Sequence, residues 1–337
     1  MKFSDEKKNS IKMYILEKIE QKTESLSKYV SNELGISQNT VHSYLSELLE
    51  KGIITKSKRG AYELVSQKYE YTFAREKGEL ENDTHAYNEC LYPLIKHLPE
   101  NVIEIWDYTM SEMVNNVIDH SDAEKLDLYI EHNYFTTRVF LIDNGVGIFK
   151  KIKEHFSLAS FDDAICELFK GKLTTDIDNH SGEGIFFSSK MMDEFLIFSS
   201  GKIFTVNKYD DEKVLNFIQG IQGTCVCMSL SNFTNKTAAE IFGFYSNVDG
   251  GFAKTRIPLK NIFDKSPVSR SQAKRICNRL EQFKEVIVDF EGVNWMGQGF
   301  AHQFFVVWQK NHPSISLLPI NMNDDVKNMY SHVMGAM

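Results

Sequence analysis

The chain has 337 residues, 42% hydrophobic and 25% charged, with a formal net charge of −8. At roughly 100–200 residues per domain, this length predicts two or three domains with real cores. No apolar run approaches the ~20 residues of a membrane helix, the N-terminus carries no apolar signal core, and the five cysteines are odd in number in a chain large enough for a real core, so neither a membrane span nor a disulfide framework is expected and the sequence reads as cytoplasmic. Charge is uneven. Residues 1–67 hold 11 Lys/Arg against 9 Asp/Glu, so the acidic surplus lies wholly in the remainder, and attraction to a polyanion is expected at the head alone.

In chain order, "SIKMYILEKIEQ" at 10–21 sets Ile11, Tyr14, Ile15, Leu16 and Ile19 at helical spacing. "TESLSKYVSNELGIS" predicts a second helix with a Ser/Thr/Glu start signal, ending at Gly35. "SQNTVHSYLSELLEKG" predicts a third, with Ser37 as N-cap, Val41, Leu45, Leu48 and Leu49 as its inner stripe and Gly52 as its stop. "IITKSKRGAYELV" alternates on both sides of Lys-Arg-Gly, the pattern of a β-hairpin. Three helices and a hairpin resemble the winged helix-turn-helix family, most closely over "LGISQNTVHSYLSELLEKGII". The resemblance implies DNA binding by residues 1–67. Gln38, Asn39, Thr40, His42, Ser43 and Tyr44 on the third helix would approach base edges. Lys56, Lys58 and Arg59 at the hairpin tip would contact phosphate. The same fold also serves protein contact or dimerisation.

Residues 68–85, "KYEYTFAREKGELENDTH", are strongly charged and read as a connector or an outer strand. "NVIEIWDYTMSEMVNNVIDHS" places Ile103, Trp106, Met110, Val114, Val117 and Ile118 at helical spacing, and Glu112 and Asn116, four apart, share one face. "KLDLYIEHN" and "TTRVFLIDNG" predict strands, the second ending at Asp143 in a glycine turn. A polar stretch over 149–181 follows. "SGEGIFFSSKMMDEF" predicts a glycine turn entering a helix, and "GTCVCMSLSNF" a strand with Cys225 and Cys227 on one face.

These four motifs, in this order, resemble the GHKL (Bergerat-fold) ATP-binding family, which implies an α/β two-layer sandwich over 86–235 with ATP and Mg²⁺ as cofactors. On the resemblance, Glu112 is the catalytic general base and Asn116 the Mg²⁺ ligand, with Asn115, Asp119 and His120 beside them. Asp143 accepts a hydrogen bond from the adenine amino group, and Gly145 and Gly147 let the base approach. Gly182 and Gly184 form the phosphate loop. Gly223 and Thr224 complete the adenine side. Lys172, or Thr174 and Thr175, would reach the phosphates from a lid over 149–181. Glu183 stands between the two phosphate-loop glycines, where the family usually has a small or apolar residue.

The chemistry agrees with the residues. A carboxylate orients water or a hydroxyl for attack on a γ-phosphate. Mg²⁺ takes oxygen ligands and retains several waters. Glycines ahead of a helix free backbone N–H groups for anions.

Beyond residue 252, "FAKTRIPL", "KEVIVDFEGV" and "SISLLPIN" predict strands alternating with helices in "SRSQAKRICNRLEQF", "FAHQFFVVWQKN" and "DDVKNMYSHVM", which argues for an α/β layer. "SRSQAKR", "VDFEGV" and "GQGFAHQFF" resemble STAS-like domains, implying a protein-contact unit over 252–337. The turn that carries a phosphorylatable Ser in STAS antagonists is Met296-Gly297-Gln298-Gly299 here, without Ser or Thr. The domain order implies an ATP-responsive transcriptional or signalling regulator, a homodimer with slow ATPase activity. An anti-sigma-type protein Ser/Thr kinase and an ATP-bound adaptor are the alternatives.

Overall fold

The computed structural model describes residues 3–58, 61–173, 182–206, 216, 218, 220–246, 251–263 and 265–335. It is a multidomain assembly of mixed helices and sheets.

The head contains α1 (Asp5–Glu20), α2 (Leu26–Leu34) and α3 (Gln38–Glu50), then an antiparallel hairpin of β1 (Ile54–Lys58) and β2 (Ala61–Leu64). α1 starts five residues before the expected helix, because the Ser4 hydroxyl accepts from Lys7 N–H and satisfies an orphan donor. The start signal expected for α2 makes no side-chain cap. Ser25 sits in the left-handed region instead. Ser37 caps α3 through Thr40 N–H. Ile11, Ile15, Leu16, Ile19, Val30, Val41, Leu45, Leu48 and Ile54 form the head's own core.

β3 (Gln67–Ala74) follows at once and pairs along its full length with β4 (Lys125–His132), so the charged 68–74 stretch is an edge strand. β5 (Thr136–Asp143), β6 (Glu194–Ser199), β7 (Lys202–Thr205) and β8 (Thr224–Ser231) complete an antiparallel sheet ordered β3-β4-β5-β8-β6-β7. Alternation decides its two faces. Leu128, Ile130, Val139, Leu141, Ile197, Val226 and Met228 pack under the helices, while Phe140, Leu196, Cys225 and Cys227 pack on the other side with Ile218. The helical layer holds α4 (86–95), α5 (Glu100–Asn115), α6 (Ile148–His155), α7 (Phe161–Lys170), α8 (Gly184–Met191) and α9 (Ala238–Tyr245). Much of the stretch expected as an open lid is therefore two regular helices. A capping box at Ser160 and Asp163 starts α7, and Ala164, Ile165, Leu168 and Phe169 are buried in it.

The head rests on this sheet. Phe135, at the β4–β5 turn, packs on the head's core. Glu20, at the end of α1, has its carboxyl pushed up by burial, with Arg138 opposing and Glu194 and Glu131 adding to the rise.

The C-terminal unit has three parallel strands, β9 (Lys254–Pro258), β10 (Glu285–Asp289) and β11 (Ser316–Ile320), ordered β11-β10-β9. α10 (Arg270–Cys277), α11 (298–311) and α12 (Asp324–Gly335) accompany them. Its core is continuous with that of the helical layer through Phe186, Phe187, Tyr245, Phe252 and Phe283. Among the described residues, no helix is long and apolar enough to cross a membrane.

Candidate functional site

β5 and β8 are neighbours, so the end of one strand and the start of the other lie side by side. That pairing brings Asp143 next to Thr224. Asp143 is 4% exposed, and its Oδ1 accepts from Gly145 N–H at 2.8 Å and Thr224 N–H at 3.3 Å. Burial pushes its carboxyl up, and these hydrogen bonds pull against that rise. Gly223, at φ +88°, leaves no room for a side chain: a Cβ would stand 2.3 Å from the Asp143 carbonyl oxygen. Thr224 Oγ1 accepts from Ile148 N–H at 3.1 Å, which ties the start of α6 to the same corner.

Across from this corner, α5 presents Glu112 and Asn116. Asn116 Nδ2 donates to the Glu112 carbonyl at 2.7 Å, so its Oδ1 faces away from that carbonyl. α5 opens into a wider π turn over Asn116–His120. This turn brings His120 to the cavity and carries Asp119 off it. Glu112 lies against Gly184, the first residue of α8. Burial, Glu112 and Glu183 together raise the pKa of the Tyr108 phenol and hold it protonated.

Between these elements lies a cavity of about 250 Å³, close to the lower end of the roughly 300–1,000 Å³ usual for ligand sites. Glu112, Asn116, Asp143, Gly147, Gly182, Gly184 and Thr224 all line it. Asp119, Gly145, Gly223, Lys172 and Glu183 do not. Asp119 is exposed, for the reason given by the π turn. Gly145 stands behind the wall, where a Cβ would meet the Ser121 carbonyl oxygen at 2.1 Å. Its part is to shape the turn that aims N–H at Asp143. Thr174 and Thr175 lie outside the described residues.

Lys172 departs from the expected phosphate contact. Its ammonium donates to the Gln282 carbonyl at 3.0 Å and lies over the Phe252 and Phe283 rings, turned towards the C-terminal unit. Lys151 is the cation that sequence reasoning missed: it lines the cavity from α6, 3.6 Å from Asp122 Oδ2. Its signal was faint, a lysine between the buried Phe149 and Ile152. Glu183 is half-buried near Tyr108 and Lys172.

On the head, Gln38, Asn39, His42 and Ser43 are exposed along the start of α3, Thr40 is half-buried, and Lys56 is exposed on β1. Tyr44 is corrected: it is 9% exposed and belongs to the head's core, because it follows Val41 by three residues on the inner face. Arg59 and the Lys58 side chain lie outside the described residues.

No curated protein sequence matches the chain. Residues 272–327 match a family model described as "STAS-like domain of unknown function (DUF4325)". The match runs from α10 through β10, α11 and β11 into α12, and this C-terminal part of the chain is a STAS-like domain.

Proposed function

We propose that the chain is a nucleotide-responsive regulator. Mg·ATP binds in the cavity of a GHKL-type (Bergerat) domain and is hydrolysed slowly, a winged helix at the head binds DNA, and the STAS-like domain meets a protein partner. The reading assigns the chain to a homodimer, so that two heads engage one site. The observation that carries it is the convergence of three motifs, far apart in sequence, on one cavity: Glu112 and Asn116 from α5, Asp143 from β5 and Gly184 from α8.

The residues present fit the group. Asp143 is a buried acceptor for an N–H of the base, in a corner whose close backbone packing Gly223 permits. Asn116 offers a carboxamide oxygen of the kind Mg²⁺ accepts. The first turn of α8 presents backbone N–H groups at the positive end of its dipole, next to Glu112. Glu112 orients a water for attack. When bound, Mg·ATP supplies the γ-phosphoryl group and the metal charge that stabilises its transfer.

Calorimetry and phosphate release with Mg·ATP test the reading on the wild type, Glu112→Ala and Asp143→Asn. The wild type is expected to bind and turn over slowly, Glu112→Ala to bind without turnover, and Asp143→Asn to bind roughly 10–100-fold more weakly. A wild type that binds no Mg·ATP ends the nucleotide reading. Transfer of label to a partner's hydroxyl instead of water would make the protein an anti-sigma-type kinase. A gel shift by the full chain, with and without Mg·ATP, tests the head.

A further inference from the structure

One wall of the cavity is made by Leu168, Gly171 and Leu173. The same stretch of chain is tied, on its other side, to the STAS-like domain. Lys170 is 1% exposed, and its ammonium donates to Glu167 Oε1 at 2.6 Å and to the carbonyls of Asn278 at 2.6 Å and Arg275 at 3.0 Å. Three N–H groups thus meet three acceptors. The two carbonyls lie at the end of α10, where a helix leaves its C=O groups without internal partners and carries the negative end of its dipole. Lys170 of α7 is therefore the C-terminal cap of a helix in another domain.

Further ties surround it. Glu167 accepts from Asn278 Nδ2 at 3.2 Å and lies 3.4 Å from Arg279 Nε. Arg279 Nη2 donates to the Lys172 carbonyl at 3.2 Å, and the Thr255 hydroxyl donates to the Lys170 carbonyl at 2.7 Å. Arg275 Nε lies 2.6 Å from Asp163 Oδ1. Gly171 leaves no slack: a Cβ there would stand 2.8 Å from the Phe252 ring. Removing one member of such a buried network leaves the remaining charges uncompensated, so it holds as a unit.

We infer that Lys170 is a positioning residue through which the STAS-like domain and the cavity control one another. The domain fixes the Leu168–Leu173 wall, and a ligand on that wall tightens the grip on the last turn of α10. The ligand named in the test rests on the proposed Mg·ATP site; the mechanical tie does not. Linkage makes the effect reciprocal.

Hydrogen–deuterium exchange on the full chain tests it, with and without Mg·ATP, in the wild type, Lys170→Met and the milder Arg279→Ala. Mg·ATP is expected to slow exchange over 270–283 in the wild type, although none of those residues lines the cavity. Arg279→Ala is expected to weaken Mg·ATP binding about tenfold, inside the ~5–150-fold range of such couplings, and to abolish the remote protection. Without ligand, Lys170→Met is expected to speed exchange over both 163–173 and 270–283. Binding of Mg·ATP that leaves 270–283 unchanged overturns the coupling. So does a Lys170→Met or Arg279→Ala protein that loosens 270–283 alone. A wild type that binds no Mg·ATP refutes the nucleotide reading, and the ligand-free comparison then decides the coupling by itself.

Discussion

Glu112 and Gly184 touch with no side chain between them: a Cβ built on Gly184 would stand 1.8 Å from Glu112 Oε2. The helix that carries the carboxylate and the first turn of the facing helix depend on this glycine for their approach. Gly184→Ala is expected to displace Glu112 and reduce ATP turnover by at least about 100-fold. Alanine favours a helix over glycine by about 1 kcal/mol, and the clash falls largely on a flexible side chain, so folding stability should change little. Steady-state phosphate release beside a denaturant titration checks both halves.

Asp143 separates binding from stability in the opposite sense. Its ionised form is buried, which costs free energy in the folded state, so Asp143→Asn is expected to leave the unfolding midpoint unchanged or raise it. A lost charged hydrogen bond to the ligand, about 1.5–3 kcal/mol, predicts roughly 10–100-fold weaker Mg·ATP binding. The carboxyl's folded pKa lies above its ordinary 3.8. The acceptor is therefore lost as pH falls through a range above that value, and wild-type affinity should drop there. Calorimetry across mildly acidic pH, with Asp143→Asn as the flat reference, reads this.

Lys190 gives a test at the alkaline end. Burial and the nearby Arg256 push its ammonium down to about 8, with Asp289 opposing. The unfolded chain holds that proton up to the ordinary 10.5. Between those values the unfolded state binds more protons, so this residue makes stability rise with pH. Urea unfolding of Lys190→Met at several alkaline pH values should show that contribution missing.

The head offers a contrast between two residues of α3. Tyr44→Ala opens a cavity in the head's core and should cost about 3–5 kcal/mol, as for other large aromatic truncations. Asn39→Ala, on the exposed face, should change stability by less than about 0.5 kcal/mol. If the head binds DNA, Asn39→Ala reduces the gel shift without altering the melting curve.

Much of this arrangement was legible in the residues, because period and punctuation carry it. Ser37, Val41 and Leu45 place α3, Asp143 ends β5 at a glycine turn, and the alternation in 225–230 puts Cys225 and Cys227 on one face. What was not legible depends on contacts between distant segments. The π turn after Asn115 breaks the regular spacing, so of the two residues expected beside the site His120 reaches the cavity and Asp119 does not. Lys172 reads as a phosphate-seeking cation in sequence, yet its partner, the Gln282 carbonyl, lies more than a hundred residues away. Residues 68–85 left a connector and an outer strand both open in sequence, because the charges of β3 are ones that an edge strand tolerates.

The join between the head and the sheet sets a mechanical limit. β2 ends at Leu64 and β3 begins at Gln67, and Val65 still donates its N–H to the Ile53 carbonyl at 3.0 Å. A leash this short spans only about 7 Å at full stretch. The short join and the Phe135 contact limit how far the head can turn without disturbing the β3–β4 edge of the sheet.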